Sequence, residues 1–219
     1  METANLFLIG DVHGCYNTFE KVISSWNPEN EILIQVGDLI DRGNFSRSVI
    51  QFCKKLEANH PGRTIFIMGN HEWMLLDYFF GNDNYNWLKK HGRKILWDYE
   101  LNEIDHTKDL EWIKKLNISW ENEYVIVSHA GITNSTSAMD PSDEKGLLWN
   151  KQPLKKLNKV QVHGHKPLSS RAPVYNTETN SWNIDTGGCY GNGISALRLK
   201  HTGELIQTLF FETLKNDIV

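Results

Sequence analysis

Side chains that bind divalent cations follow a series of short apolar runs in the sequence. The first three runs end at Gly10, Gly37 and Gly69, and polar residues come directly afterwards. The polar residues of all five runs are Asp11, His13, Asp38, Asn70, His71, His129, His163 and His165. Carboxylate and amide oxygens mixed with imidazole nitrogens suit Mn²⁺, Fe²⁺ or Zn²⁺. Because the set is too large for one tetrahedral centre, it predicts two cations that share a carboxylate.

Two such cations favour one class of reaction. A water molecule shared by both becomes hydroxide near neutral pH, because each cation stabilises the negative product of its ionisation. The same cations can bind phosphoryl oxygens and offset the charge of a pentacoordinate transition state. The residue types therefore predict hydrolysis of a phosphate ester or anhydride.

The elements that must position these residues alternate along the first part of the chain. Three apolar runs, NLFLIG, EILIQVG and RTIFIMG, are typical of strands, and each is followed by a helical pattern. The alternation predicts a mostly parallel sheet whose carboxyl ends gather the polar residues along one edge. Later runs alternate in period two around turns and predict antiparallel strands. We therefore predict an α/β fold in which two mixed sheets pack face to face between helices.

Length, charge and cysteine content limit the organisation of the chain. The 219 residues suffice for one domain, 1–219, in which the polar and aromatic segment at about 82–117 predicts a helical insertion beside the site. The net charge of -4 argues against nucleic acid as a partner. No apolar run is long enough to span a membrane, and the N-terminus lacks the basic start of a signal peptide. With three widely spaced cysteines and no disulfide framework, we expect a cytoplasmic protein; its oligomeric state stays open.

Five motifs in order resemble those of a known family. They are GDVHG (10–14), GDLIDRG (37–43), GNHE (69–72), HAG (129–131) and GHKP (164–167). Together they resemble the signature of the metallophosphoesterase, or calcineurin-like, superfamily. The GDLIDRG and GNHE forms resemble the phosphoprotein phosphatase family, and the length and motif order are similar to small bacterial and phage lambda-type serine/threonine protein phosphatases. The resemblance implies the calcineurin-like α/β/β/α sandwich.

The resemblance also implies a set of metal ligands. That set is Asp11 and His13 for the first cation, Asp38 for both cations, and Asn70, His129 and His165 for the second. His165 is preferred over His163 because it follows the glycine of the GHKP motif, whereas His163 continues an alternating strand pattern and suits a hydrogen-bonded or core position. The implied cofactors are two divalent ions, with Mn²⁺ as first choice and Fe or Zn as alternatives.

In the resembled family, the histidine at the position of His71 is the general acid, and the aspartate at the position of Asp41 orients it. A nearby carboxylate is expected to raise the pKa of the imidazole and keep it protonated. Arg42 offers a planar pair of donors for phosphoryl oxygens, and Asn70 is also expected at the phosphate. Taken alone, Asp41 and Arg42 would be interpreted as a turn ion pair; the other motifs favour the functional role.

One position departs from the family pattern. Where the family often has a second phosphate-binding arginine after an LLW segment, this chain has GLLWNKQ. Lys151 stands there as a point charge that cannot reproduce a two-pronged clamp. Lys166 and Arg171 are alternatives for that role, and a solvated Lys151 without any role is an equal alternative. The segment DTGG, residues 185–188, is interpreted as structural support.

The predicted activity is hydrolysis of phosphoserine and phosphothreonine in proteins by direct attack of a metal-bridging hydroxide. The alternative is a diadenosine tetraphosphate hydrolase or another small-molecule phosphatase; the related hydrolases are generally longer, which favours the first prediction. A metal-binding scaffold without catalysis would have a broken ligand set, and every ligand position is filled. A purple acid phosphatase would need a tyrosine three residues after the bridging aspartate, where this chain has Asp41.

Overall fold

The computed structural model describes residues 3–81, 85–135 and 137–218, which contain ten strands and six α-helices. The strands are β1 (Asn5–Ile9), β2 (Glu31–Gln35), β3 (Thr64–Phe66), β4 (Ser119–Glu121), β5 (Val125–Ser128), β6 (Val160–His163), β7 (Val174–Asn176), β8 (Ser181–Asn183), β9 (Gly193–Leu199) and β10 (Leu205–Glu212). The helices are α1 (Tyr16–Ile23), α2 (Ser46–Asn59), α3 (Asn70–Phe80), α4 (Tyr85–Trp87), α5 (Arg93–Leu101) and α6 (Thr107–Ile113). A π-helical turn, Leu88–Gly92, joins α4 to α5.

The strands form two five-stranded sheets. The first has the order β10-β9-β1-β2-β3, in which β1, β2 and β3 are parallel and β9 is antiparallel to β1. The second has the order β4-β5-β6-β8-β7, in which β5, β6 and β8 are parallel and both edge strands are antiparallel. The antiparallel pairs at the C-terminal end of the chain are divided between the sheets, with β7 and β8 in the second and β9 and β10 in the first.

The central strand of the first sheet is buried on both faces. Leu6 and Leu8 pack toward the second sheet against Val127 and Val162, whereas Phe7 packs toward the helices. Burial on both faces explains why β1 is a continuous apolar run and does not alternate with polar residues. The contact between the two sheets confirms the predicted α/β fold, with two mixed sheets packed face to face and flanking helices.

The helices pack on the outer face of the first sheet. All six α-helices contribute side chains to the apolar cluster on the first sheet. Gln161 of β6 in the second sheet ties two loop positions together, because its side chain accepts the N–H of Ile132 and donates to the carbonyl oxygen of Lys155. Among the described residues, no helix combines the length and apolar character needed to cross a membrane.

The segment predicted as a helical insertion, about 82–117, contains α4, the π-helical turn, α5 and α6; we call residues 85–113 the helical insertion. Residues 82–84 of the predicted segment lie outside the described residues. Trp87, Ile95 and Tyr99 join the helical insertion to the apolar cluster that also contains α1 and α2. The assignment of residues 1–219 to a single domain stays a prediction.

The C-terminal residues fasten two loops of the first sheet. The buried carboxylate of Asp217 accepts the backbone N–H groups of Asn17 and Thr18 and the hydroxyl of Thr18. It therefore satisfies N–H groups at the start of α1, which have no partner within a helix. The carbonyl oxygen of Asp217 accepts the N–H of Asn44 at 2.9 Å. The loops after β1 and β2 are thus held against the same C-terminal turn.

Candidate metal centre

The predicted ligands lie where the parallel strands of both sheets end. Asp11 and His13 follow β1, Asp38 follows β2, and His129 follows β5. The backbone N–H groups of Val12 and His13 donate to the carbonyl oxygen of Asp38, so the first two loops are tied together. The site is therefore assembled by the gathering of strand ends that the sequence predicts.

One group of lone pairs surrounds His129, whose side chain is fully buried. Nδ1 of His129 lies 3.0 Å from the carbonyl oxygen of Val36. Since a carbonyl oxygen only accepts, Nδ1 carries the proton and Nε2 presents a lone pair. That Nε2 lies 3.0 Å from Oδ1 of Asn70, 3.1 Å from Nδ1 of His165 and 3.4 Å from Oδ2 of Asp38. So many acceptors facing one another fit a bound cation, which would turn their repulsion into attraction.

A second group forms around His13. Nδ1 of His13 lies 2.8 Å from the carbonyl oxygen of Ile40, so the same reasoning leaves its Nε2 with a lone pair. This Nε2 lies 3.3 Å from Oδ2 of Asp38, and Nε2 of His71 lies 4.0 Å from the same oxygen. Carboxylate oxygen and imidazole nitrogen are donors that Mn²⁺, Fe²⁺ and Zn²⁺ accept.

Asp38 is common to both groups. The ligand atoms of each group lie within 4.8 Å of one another, and the groups are His13, Asp38 and His71, and Asp38, His129 and His165. A shared carboxylate suits the bridging position of a two-metal site. Asp11 belongs to neither group of three; its carboxylate instead accepts the backbone N–H of His165 at 3.2 Å.

The electrostatics of these residues also favour a bound cation. Burial alone would raise the pKa of Asp38, but the neighbouring imidazoles, above all that of His129, hold it well below its usual value. Burial raises the pKa of Asp11 well above its usual value, and the charges of Asp185 and Asp38 add to that shift. Burial would lower the pKa of His129, yet the charge of Asp38, its hydrogen bond, the charge of Glu72 and the carbonyl oxygen of Val36 together outweigh burial and raise the pKa. The site therefore attracts positive charge, which a proton or a divalent cation can supply.

Two glycines of the motifs are required by close approach. A methyl group at Gly69 would overlap the carboxylate of Asp38, and a methyl group at Gly164 would overlap the carboxylate of Asp11. Five site residues also have the left-handed backbone conformation that side chains other than glycine rarely adopt: His13, Asp38, Asp41, Arg42 and His165. Such strain, about 1–3 kcal/mol per residue, is typical of functional sites.

Glu72 is a site residue to which the sequence assigned no role. Its buried carboxylate accepts four backbone N–H groups, those of Asp38, Leu39, Ile40 and Gly69, at 2.8–3.2 Å. Burial, together with the charge of Asp38, raises the pKa of Glu72 to about 7. Glu72 fixes the turn that carries Asp38. Its place in the GNHE motif was a signal, but three of the four partners lie more than thirty residues away in sequence.

The structure brings His71 and Asp41 together as predicted. Nδ1 of His71 lies 2.6 Å from Oδ2 of Asp41, so the carboxylate holds the Nδ1 proton and directs Nε2 toward Asp38. Burial lowers the pKa of His71, and the charge of Asp38 and the hydrogen bond to Asp41 oppose this shift without reversing it. The prediction of a raised pKa is therefore wrong, because the sequence argument weighed the carboxylate and not the loss of solvent.

Arg42 lies between His13 and His71, the two histidines of the group around His13. Its Nη1 is 3.0 Å from Nε2 of His13, and its Nη2 is 3.3 Å from Nε2 of His71. The guanidinium also stacks over the ring of Tyr190, 5.2 Å from the ring centroid, and Nη1 contacts the thiol of Cys189. Arg42 thus reaches the region where a phosphate beside the cations would bind.

An open cavity of about 590 Å³ leads to these groups. It is lined by Asn70, His71 and His165, and on its outer wall by Arg42, Trp87, Lys90, His91, Trp149, Lys151 and Lys166. Lys151 and Lys166, two of the three candidates to replace the second phosphate-binding arginine, therefore line the cavity. Arg171 does not line it; its guanidinium pairs with Glu212 at 2.8 Å on the surface.

His163 lies apart from the ligand groups. Its Nδ1 is 3.2 Å from the carbonyl oxygen of Gly164, and its ring lines a neighbouring cavity of about 410 Å³. Burial lowers the pKa of His163 to about 4. Of the two histidines of the fifth run, His165 belongs to the group around His129 and His163 does not.

The lowered pKa of His163 predicts a loss of stability in acid. Between pH 6.5 and about 4, the unfolded chain binds a proton that the folded chain excludes, so the free energy of unfolding falls as the pH decreases through this window. We expect His163→Gln to remove about 2 kcal/mol of the decline between pH 7 and pH 5, measured by urea denaturation at both values. His201→Gln, which alters a histidine beside Tyr124, is the control. An equal decline in wild type and His163→Gln would contradict the assignment.

Comparison with known proteins agrees with this geometry. A family model described as calcineurin-like phosphoesterase matches residues 4–196. The serine/threonine-protein phosphatase 1 of Salmonella typhimurium is 26% identical over 217 residues, which cover 90% of this chain and 92% of the relative. The symmetrical bis(5'-nucleosyl)-tetraphosphatase of Buchnera aphidicola is 26% identical over 185 residues, and the chain spans 60% of that relative's length.

A solved structure shows the same fold. A protein serine/threonine phosphatase from Saccharomyces cerevisiae superposes with a TM-score of 0.64 at 16% identity, over 97% of this chain and 81% of that chain. At this identity the likeness concerns the arrangement of sheets and helices. It agrees with the two mixed sheets described above.

Proposed function

Since this chain belongs to the calcineurin-like phosphoesterase family, we propose that it is a metal-dependent phosphatase that hydrolyses phosphoserine and phosphothreonine in proteins. The observation that carries the proposal is the pair of ligand groups that share Asp38, because one residue of each group, His71 and His165, lines an open cavity. The protein substrate is supported by length, because this chain and the Salmonella phosphatase cover 90% and 92% of each other.

The cations would be held by His13 and Asp38 on one side and by Asp38, Asn70, His129 and His165 on the other, with Asp11 beside them. When bound, two divalent cations, Mn²⁺ being our first choice, lower the pKa of a water molecule and offset charge on phosphoryl oxygens. The carbonyl oxygens of Val36 and Ile40 fix the tautomers of His129 and His13 before any ligand arrives.

Arg42 would bind the phosphoryl group. Its Nη1 now donates to the lone pair of His13 that a cation would use, so cation binding there requires the guanidinium to turn toward the cavity. In the cavity its planar pair of donors matches two phosphoryl oxygens. Lys151 and Lys166 on the outer wall would add positive charge without a fixed geometry.

His71 would protonate the leaving oxygen of the serine or threonine. Asp41 holds the proton on Nδ1, so a second proton on Nε2 is the one that moves to the oxygen as the P–O bond breaks. Burial opposes the charged imidazole, but a bound phosphate dianion close to Nε2 favours it. The bound substrate therefore favours protonation of His71, and this proton is the one that its leaving oxygen accepts.

A second candidate is hydrolysis of a dinucleoside polyphosphate, the activity named for the Buchnera relative. Lys90, Lys151 and Lys166 line the cavity, and within the described ranges none lies within 4.0 Å of a carboxylate. Such unneutralised lysines raise the local concentration of anions and suit a substrate with more than one phosphate.

A panel of substrates tests the proposal. The protein is treated with EDTA, restored with Mn²⁺, and assayed with p-nitrophenyl phosphate, a phosphoserine peptide and diadenosine tetraphosphate. We expect turnover to vanish with EDTA and return with Mn²⁺, and kcat/KM to be highest for the peptide. A higher kcat/KM for the tetraphosphate would contradict the proposed protein substrate but not the proposed metal-dependent hydrolysis. No turnover of any of the three would overturn the activity itself.

A further inference from the structure

We infer that Trp87 is a positioning residue for the general acid, carried into the site by the helical insertion. Nε1 of the Trp87 indole lies 2.6 Å from Oδ2 of Asp41. Nδ1 of His71 lies 2.6 Å from the same oxygen. One carboxylate oxygen therefore accepts from both the acid and the indole. This inference rests on the proposed function, because it assigns a role within that reaction.

The indole limits how the carboxylate of Asp41 can turn. Its other oxygen, Oδ1, is buried and has no hydrogen-bond partner among the described residues. With a single donor, rotation of the carboxylate could exchange the two oxygens and take the imidazole of His71 with it. With two donors converging on Oδ2 from different directions, only one orientation satisfies both. The Trp87 N–H thus fixes the direction in which His71 presents Nε2.

The helical insertion is shaped to hold the indole in this place. Trp87 is 1% exposed and packs against the ring of Tyr78, with 5.5 Å between ring centroids. Gly92, the last residue of the π-helical turn, lies so close to the six-membered ring of Trp87 that a methyl group there would contact it at 2.6 Å. Single π-helical turns occur frequently at functional sites. The turn brings His91 against His71 as well, with 4.9 Å between their rings.

Packing alone does not explain the indole nitrogen. A phenylalanine would fill most of the same space in the apolar cluster, without an N–H that must find a buried acceptor. The choice of acceptor is specific, since the hydrogen bond joins residues 46 positions apart and ends on the carboxylate that orients the acid. The role that follows is alignment of proton transfer, because small misplacements of a catalytic group slow a reaction strongly.

Trp87→Phe tests this inference, because it removes the N–H and keeps an aromatic ring. We expect kcat for the phosphoserine peptide to fall about 10-fold or more, and kcat for p-nitrophenyl phosphate to change less than about 3-fold. A nitrophenolate leaves without a proton, whereas a serine oxygen needs one. KM for both substrates and the metal content should stay within about 2-fold of wild type, since the residues assigned to hold the cations and the phosphoryl group do not include Trp87.

Three further variants make the outcome decisive. Trp112→Phe removes an indole that donates to Glu57 at 2.8 Å outside the cavity, and should change neither kcat. In an Asp41→Asn background, Trp87→Phe should add no further loss, since its effect passes through Asp41. If Trp87→Phe does not fold, Gly92→Ala, which displaces the indole by overlap, should give the same substrate-dependent loss.

Equal losses on both substrates, or an unchanged kcat for the peptide in a folded Trp87→Phe variant, would overturn the inference. Loss that persists at full size in the Asp41→Asn background would do the same. Failure of the proposed function has a different result, because wild-type protein restored with Mn²⁺ would then turn over neither substrate.

Discussion

Replacement of Asp38 by asparagine is expected to abolish nearly all phosphatase activity and to lower the metal content below two ions per chain. Asp38 is the one residue whose oxygen belongs to both groups of ligand atoms, and its carboxylate is 2% exposed. An amide of the same shape cannot supply the negative charge that two neighbouring cations share. Loss of several kcal/mol of transition-state stabilisation corresponds to a rate decrease of about 10³-fold or more.

The measurement combines metal analysis with turnover of p-nitrophenyl phosphate at saturating Mn²⁺. Asp140→Asn is the matched control, because it removes one carboxylate of an exposed turn, where, among the residues that the structure describes, the side chain accepts only from Ser142. That variant should keep both ions and full activity. An Asp38→Asn protein that retains two ions and more than about a tenth of the wild-type rate would refute the bridging role.

The elements that hold the ligands were predictable from local sequence. The boundaries of α2 coincide with the run SRSVIQFCKKLEAN, and β1 and β2 lie within the continuous apolar runs NLFLIG and EILIQVG. Periodicity and burial on both faces determine these elements, and the parallel arrangement follows from the alternation of strands and helices. The convergence of the ligands then follows from the rule that strand ends share one edge of a sheet.

The residues that the sequence did not reveal act through contacts between distant segments. Glu72 accepts N–H groups from the turn after β2, and Trp87 donates to Asp41 across 46 positions. From sequence, the helical insertion could be predicted only as an aromatic segment beside the site, because no local pattern shows where an indole N–H points. The predicted direction of the His71 pKa shift was wrong for a related reason, because the burial of a ring depends on the whole fold.

The placement of His71 in a ligand group leaves two roles to separate, and His71→Asn separates them. As the general acid, His71 touches the leaving group and no cation. We then expect two ions per chain to remain, kcat for the phosphoserine peptide to fall about 10²- to 10⁴-fold, and kcat for p-nitrophenyl phosphate to fall less than about 10-fold. The measurements are metal analysis after gel filtration and kcat for each substrate.

A ligand role gives the opposite pattern. Nε2 of His71 lies 4.0 Å from Oδ2 of Asp38, and its ligand atom is within 4.8 Å of that of His13. If His71 held a cation, asparagine there would lower the metal content, and both substrates would slow together because both need the same ionised water. His60→Asn, which removes a ring packed against Trp26, is the control and should leave ions and rates unchanged. The distances favour the acid, because Nε2 of His13 and Nε2 of His129 lie 3.3 Å and 3.4 Å from the same oxygen of Asp38, closer than Nε2 of His71.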